Sequence, residues 1–384
     1  MRGRALVAHG FNTKSLEKIG DQAFTIVEGA LVPSFECGRC ASVSDDRVLT
    51  FLDGPDRTAE SRLGRISTTN ALETGIEGLA NDNDAGTFSA VAVSPDGRFA
   101  SVMRQDSDGV ASIRLRDIAG GFEQPYKGDG IVLNVRPVLF SADGDRLAYT
   151  LNESPPYEIT IAQVDPSMRL EVTHRDQEPI FLSQWTEDDR IVFTRRPIDS
   201  TSKSDICFVE RDGESGWREK IRVFGPGDID YDRSFGQISP DGNWIAYVSN
   251  QTENSEVWVA RFPSGQGRVK ISDGRISTAQ AQQPRWLSGS TLIYLQGTGA
   301  RLAIIQAELL LLDGASAELR ELKTLSRERI NKIVPEYGSY FYDVRRKEDG
   351  TPELIISFID STEDPVLHVL LNWQDIVGPN RGSR

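Results

Sequence analysis

Residues 235–295 decide the fold: FGQISPDGNWIAYVSN (235–250), SEVWVARFP (255–263), GRVKISDG (267–274) and QQPRWLSGSTLIYL (282–295). Four short runs alternate apolar and polar residues or are rich in Ile, Val, Trp and Tyr. Turn residues separate them, and then the first two runs begin again, which is a strand pattern. Ser239-Pro240-Asp241-Gly242 is the punctuation. Pro presets φ, the Asp carboxylate can accept a backbone N–H across the turn, and Gly takes the φ > 0 position that a tight hairpin needs. Four antiparallel strands cannot bury both of their faces alone, so the unit implies neighbours.

Those neighbours are legible. Alignment on the turn brings together VAVSPDGRFASVMR (91–104), PVLFSADGDRLAYTLN (137–152), LSQWTEDDRIVFTRR (182–196), GQISPDGNWIAYVSN (236–250) and PRWLSGSTLIYL (284–295). The turn glycine or its equivalent falls at Gly97, Gly144, Asp189, Gly242 and Gly289. A four-strand unit recurring every ~45–50 residues is the signature of a β-propeller. A degraded copy, SVSDDRVLTFL (42–52), precedes the first clean one.

The expectation is therefore an all-β chain: a β-propeller of four-stranded antiparallel blades, seven most readily and six as the alternative. Units follow at about 88–130, 131–178, 179–230, 231–280 and 281–328. The segment 307–330 has helical propensity, but the frame set by the preceding units assigns it to strands with a loop. Residues 4–28 read as a hairpin resembling two outer strands. Closure is expected by combining them with the C-terminal runs SYFYDVRR (339–346), LIISFID (354–360) and LHVLLNW (367–373). Such sharing leaves few open edges. One domain is expected over residues 1–376, with 377–384 a disordered tail.

Composition narrows the function. The 384 residues carry 43 Lys and Arg against 57 Asp and Glu, a net charge of −14. That balance argues against nucleic acid as a partner, which needs a basic footprint. No run approaches the ~18 apolar residues of a membrane span, and the start is a poor secretory signal. The expected location is cytoplasmic by default, or extracytoplasmic if the amino terminus is truncated.

Cys37-Gly-Arg-Cys40 has half-zinc spacing, but no second pair follows. His174-Arg175-Asp176 spells the start of a kinase catalytic loop, yet Phe181 stands where the metal-binding Asn belongs. Asp228, Asp230 and Asp232 begin like a calcium loop, but Arg233 and Ser239 occupy the Gly and Glu places. The loop NDNDAG (81–86) fails likewise, with Val93 at the twelfth place. There is no G-x-S-x-G elbow, and His occurs only at 9, 174 and 368. The reading is no catalytic residue, no metal and no cofactor. The recurring aromatics, Trp185, Trp244, Trp258 and Trp286, read as core between blades.

The SPDG turn followed by WIAYVSN, EVWVARFP and QPRW resembles the TolB-like β-propellers. It is especially similar to the propellers that follow bacterial serine/threonine kinase domains. RALVAHGFNTKSLEKIGDQAFTIVEGA (4–30) resembles the lead-in hairpin of that group, and VLHVLLNW (366–373) its closing strand. The likeness covers nearly the whole chain, and it implies a scaffolding or sensory role beside a signalling kinase. The chain itself carries no kinase motif set.

The functional expectation is a non-catalytic ring that binds a protein or peptide. The alternative is a propeller enzyme using a channel metal or carboxylates. Binding is placed at the start of the inner strands, where the alignment puts Ser89, Arg136, Phe181, Ser234 and Gln282 in one column. Asp84, Asp232, Arg233 and Gln283 lie beside it in sequence. The column varies in charge and size from unit to unit, as a site for an asymmetric ligand would.

Overall fold

The computed structural model describes residues 5–12, 17–28, 41–43, 48–53, 61–68, 77–78, 87–105, 111–120, 123–126, 138–150, 154–164, 171–199, 202–212, 216–218, 221–224, 230–252, 254–272, 280–298, 301–312, 317–326, 340–347, 349–359 and 366–371. These residues form strands and turns without a helix, and none of their elements is long and apolar enough to be a membrane-crossing helix. Cys37, Cys40, Asp84, Arg136, Asp228, Trp373 and the 377–384 tail lie outside the described residues.

The chain divides into two compact units, residues 60–360 and residues 1–59 with 361–384. The larger unit contains six four-stranded antiparallel sheets, the blades of a β-propeller. Blade one is Thr87–Val93, Phe99–Gln105, Ala111–Asp117 and Glu123–Pro125. Blade two is Leu139–Phe140, Arg146–Thr150, Tyr157–Gln163 and Glu171–Asp176. Blade three is Ile180–Trp185, Arg190–Arg195, Asp205–Glu210 and Ile221–Arg222. Blade four is Arg233–Ile238, Trp244–Thr252, Asn254–Arg261 and Val269–Lys270. Blade five is Gln280–Trp286, Thr291–Thr298, Arg301–Leu311 and Ala317–Ser326. Its last two members are the stretch in which helical propensity competed with the repeat frame, and they are strands.

Blade six draws on both ends of the unit: Tyr342–Arg346 and Pro352–Ile359 pair onward to Ser61–Ser67 and Glu77–Gly78. This corrects the expected pairing. Among the described residues the hairpin Ala5–Asn12/Glu17–Glu28 pairs within itself, and Val366–Leu371 pairs with Val48–Asp53, which in turn pairs with Ala41–Val43. The apolar pattern explains the choice in blade six. Leu63, Ile66, Leu354, Ile355 and Ile356 are all fully buried there, so Ser61–Ser67 places apolar side chains against the strand that needs them. The hairpin and the three-stranded sheet belong to the smaller unit.

The core lies between blades. Phe235, Trp244, Val257 and Val259 of blade four pack with Ala281, Leu292 and Tyr294 of blade five. Ile293, Leu295 and Ile304 of blade five pack with Tyr342, Leu354 and Ile356 of blade six. Leu63 and Ile355 of blade six pack with Val91, Ala100 and Val102 of blade one. Arg233 lies in the same kind of seam, its guanidinium 4.5 Å from the Phe224 ring.

The turn chemistry repeats as the sequence predicts. Gly97, Gly144 and Gly242 have φ of 69°, 76° and 73°, and Asp189 takes the same place at 58°. Asp96, Asp143 and Asp241 accept backbone N–H groups two residues on, at 3.0, 3.0 and 3.2 Å. The hydroxyls of Ser94, Ser141, Thr186 and Ser239 donate to the turn carboxylates of Asp96, Asp143, Asp188 and Asp241. They also accept the N–H of Phe99, Arg146, Arg190 and Trp244, which open the next strands. Blade five differs: Gly289 is not in the left-handed region, and Ser288 Oγ accepts the N–H of Thr291 at 3.1 Å.

Candidate functional site

An irregularity in the inner strands prepares the site. Their pairing with the second strands slips between Ser89 and Ala92, Leu182 and Gln184, Ser234 and Gln237, and Gln282 and Arg285. In three of these β-bulges a non-glycine residue is left-handed: Ala90 at φ 54°, Phe235 at 56° and Gln283 at 56°. A bulge re-aims the side chains that follow it. Here those are Gln184, Gln237 and Arg285, each two residues before the start of its turn.

These side chains stitch neighbouring blades together. The Gln184 carboxamide reads the Ile238 backbone on both sides, accepting its N–H at 2.6 Å and donating to its carbonyl at 3.0 Å. Gln237 Nε2 donates to the Ser183 carbonyl at 2.6 Å and to the Tyr340 hydroxyl at 3.0 Å. Trp286 Nε1 donates to the Gln237 carbonyl at 2.9 Å. Arg285 stacks over the Tyr340 ring at 4.0 Å and pairs with Asp343 at 3.1 Å. The other Asp343 oxygen accepts the Val93 N–H at 2.8 Å, joining blade six to blade one. Burial pushes the Tyr340 and Tyr342 hydroxyls upward in pKa, so both stay protonated and the network keeps its donors.

The stitched residues and the turns beyond them enclose a cavity of about 490 Å³ to which all six blades contribute. That volume suits a small ligand or a few residues of peptide. Its wall includes Trp185, Trp286, Gln184, Gln237 and the Arg285–Asp343 pair, with Ala142, Glu187 and Pro240 from the turns and Arg346 from a strand end. Trp185 is held by its Nε1 on Asp189 Oδ1 at 3.0 Å, with the Arg146 guanidinium 5.0 Å from its ring. Arg346 donates to the Leu287 carbonyl at 2.7 Å. Among the described residues Glu187 has no hydrogen-bond or ion-pair partner, and it is exposed. No group of three or more His, Cys, Asp or Glu side chains converges as metal ligands among the described residues.

The described members of the column expected from the sequence lie at the other end of the inner strands, and none of them lines this cavity. Phe181, Arg233 and Gln283 are buried, with exposures of 3%, 1% and 0%. Gln283 accepts the Phe341 N–H at 3.0 Å, and its carbonyl accepts the Tyr342 hydroxyl at 2.6 Å. Asp232 accepts the N–H of Ser204 and the amide of Asn250, both at 3.0 Å, with Lys203 3.6 Å away. Ser234 and Gln282 are half-buried. Ser89 lies in the first strand of blade one. The cavity residues carried a usable signal: Gln184-Trp185, Gln237-Ile238 and Arg285-Trp286 share one place relative to the turn, and two of the three pairs contain a Trp. Both Trp residues also serve the core, as their recurrence implied: Trp185 lies in the cluster between blades two and three, and Trp286 packs against that between blades four and five.

No family model and no curated protein matches the sequence. Solved structures do share its fold. A structure described as TolB from Agrobacterium tumefaciens superposes with a TM-score of 0.56 at 16% identity, over 79% of this chain and 99% of that one. TolB from Acinetobacter baumannii gives 0.48 at 14%, over 82% and 67%. Prolyl oligopeptidase B from Galerina marginata gives 0.48 at 9%, over 86% of this chain and 46% of that one. At 16% identity the first of these likenesses is one of fold, the TolB-like β-propeller.

Proposed function

We propose that the chain is a non-catalytic binding module that receives a segment of a partner protein in the cavity to which all six blades contribute. The observation that carries this reading is the contrast within the cavity wall. Its floor is fixed by buried amide, tyrosine and arginine contacts between blades, whereas Glu187 at the rim is exposed and without a partner among the described residues. A preordered wall with a free polar rim loses little conformational entropy when a ligand settles on it. Wall residues also differ from blade to blade at matched places, with Gln184, Gln237 and Arg285 in one column and Trp185, Ile238 and Trp286 in the next. Such asymmetry suits an asymmetric ligand.

The test fills the cavity from its rim. Ala142 and Glu187 are exposed turn residues, so Ala142→Trp and Glu187→Lys should leave melting nearly unchanged, within about 0.5 kcal/mol. Affinity capture from cell extract with mass spectrometry would identify partners of the parent chain, and titration calorimetry would measure each variant against them. Loss of binding in both variants with unchanged melting supports the reading. Full affinity in Ala142→Trp would place the partner elsewhere.

A further inference from the structure

Blade five ends unlike the others. Its outermost strand, Ala317–Ser326, has ten residues. The outermost strands of blades one, two, three, four and six have three, six, two, two and two. Arg301–Leu311 pairs with its inner side, and it stands last in the sheet order. Its outer side therefore presents a row of backbone N–H and C=O groups with no strand beside them among the described residues. Such an edge is a template for another strand. Side chains decide which strand it accepts.

We propose that this edge pairs with the same edge of a second copy of the chain, antiparallel, about a two-fold axis at Leu322. Two like chains with a net charge of −14 repel each other, but this strand is locally neutral. It carries Glu318 and Glu321 against Arg320 and Lys323, all exposed. A two-fold axis normal to a sheet keeps each face on its own side, so the central residue meets its own copy and its neighbours meet crosswise. Centred on Glu321 the seam would oppose two carboxylates, and centred on Arg320 or Lys323 it would oppose two cations. Centred on Leu322 it opposes leucine to leucine. Glu321 of each copy then faces Lys323 of the other, with no like charges opposed. The alternative centre at Leu319 falls where the pairing with Arg301–Leu311 slips, since Glu308 pairs with Glu321 and Leu309 with Leu319, leaving Arg320 extra. From Glu321 to Thr324 the ladder is regular. Opposite-charge and apolar cross-strand pairs each stabilise such a seam.

Sedimentation velocity of the full chain over a range of concentrations at about 0.1 M salt tests this. A reversible monomer–dimer equilibrium is expected. Glu321→Lys brings two cations to each crosswise pair, and Lys323→Glu brings two anions. Each variant alone should weaken self-association by at least about tenfold, with circular dichroism showing the fold intact. An equimolar mixture of the two variants should recover a heterodimer, because each then supplies the charge the other lacks. A monomeric parent chain, a dimer indifferent to both substitutions, or a mixture that fails to recover association would each overturn the proposal.

Discussion

Gly236 sits in the inner strand of blade four, between left-handed Phe235 and the stitching residue Gln237, and its own φ is ordinary. Its requirement for glycine is one of space. A Cβ there would lie 2.6 Å from Ile206 Cγ2, 3.3 Å from Ile206 Cδ1 and 3.3 Å from Ile245 Cδ1. Ile206 is fully buried in blade three, and a β-branched side chain has little rotamer freedom with which to retreat. Gly236→Ala therefore forces the seam between blades three and four apart, at a cost of about 1–3 kcal/mol. At roughly 2–4 °C per kcal/mol, the melting temperature should fall by several degrees in a thermal scan followed by circular dichroism. Gly289→Ala is the matched control: its Cβ would enter open space at an ordinary φ, so its effect should stay near zero or stabilise slightly. Adding Ile206→Ala to Gly236→Ala should cost less than the two single changes together, because the clash disappears with the side chain. If Gly236→Ala melts with the parent, or no lower than Gly289→Ala, the close seam is wrong.

Three further outcomes can be checked. Gly242→Val should cost about 1–2 kcal/mol in urea titration, because valine is forced to the left-handed φ of 73° although nothing lies within 4 Å of its Cβ. Arg285→Met should cost about 3 kcal/mol by stranding Asp343, and Arg285→Met with Asp343→Asn should recover part of that loss in a double-mutant cycle. Acid titration should report the turns. Burial pushes the Asp241 carboxyl up, but the Ser239 hydroxyl and Asn243 outweigh it and hold the carboxyl below its usual range; at Asp143, burial is likewise outweighed by Ser141, Asp145 and Arg146. Folded values below the unfolded ones give stability that is full above about pH 4 and is lost as pH falls through the folded values. The Asp143→Asn/Asp241→Asn variant should therefore lose less stability than the parent between pH 5 and 3.

The blades themselves were legible because each level of the sequence agreed. Turn residues, alternating strands and spacing all named the same unit, and Gly242 adopts the dihedral that its place in SPDG demands. In blade six the two C-terminal strands were legible but their partner was not: it is Ser61–Ser67 and not the 4–28 hairpin, and periodicity carries no information on which half-sheets meet. That pairing depends on whether Ile66 fits beside Leu354 and Ile356 on one face and Leu63 beside Ile355 on the other, a matter of shape. The cavity was missed for a related reason. Column position was read as if inner strands were regular, but the bulges at Ala90, Phe235 and Gln283 change which side chains project. A left-handed alanine, phenylalanine or glutamine leaves no mark in composition. Arg233 shows the limit most directly: an arginine at a strand start reads as exposed, yet it lies in a seam over Phe224.

The shared blade also sets a timetable for the nascent chain. Ser61–Ser67 is made before blades one to five, but its partner Pro352–Ile359 lies roughly 290 residues further along and is made only after them. At ~5–20 residues per second the early half-sheet waits on the order of 15–60 s. During that interval the faces of Leu63 and Ile66 lack their covering strand, while blades one to five, each made of consecutive strands, can form in passing. Synthesis thus leaves one apolar edge open until residue 359 is made, and a ribosome that stalls before it releases a chain with five blades complete and that edge exposed.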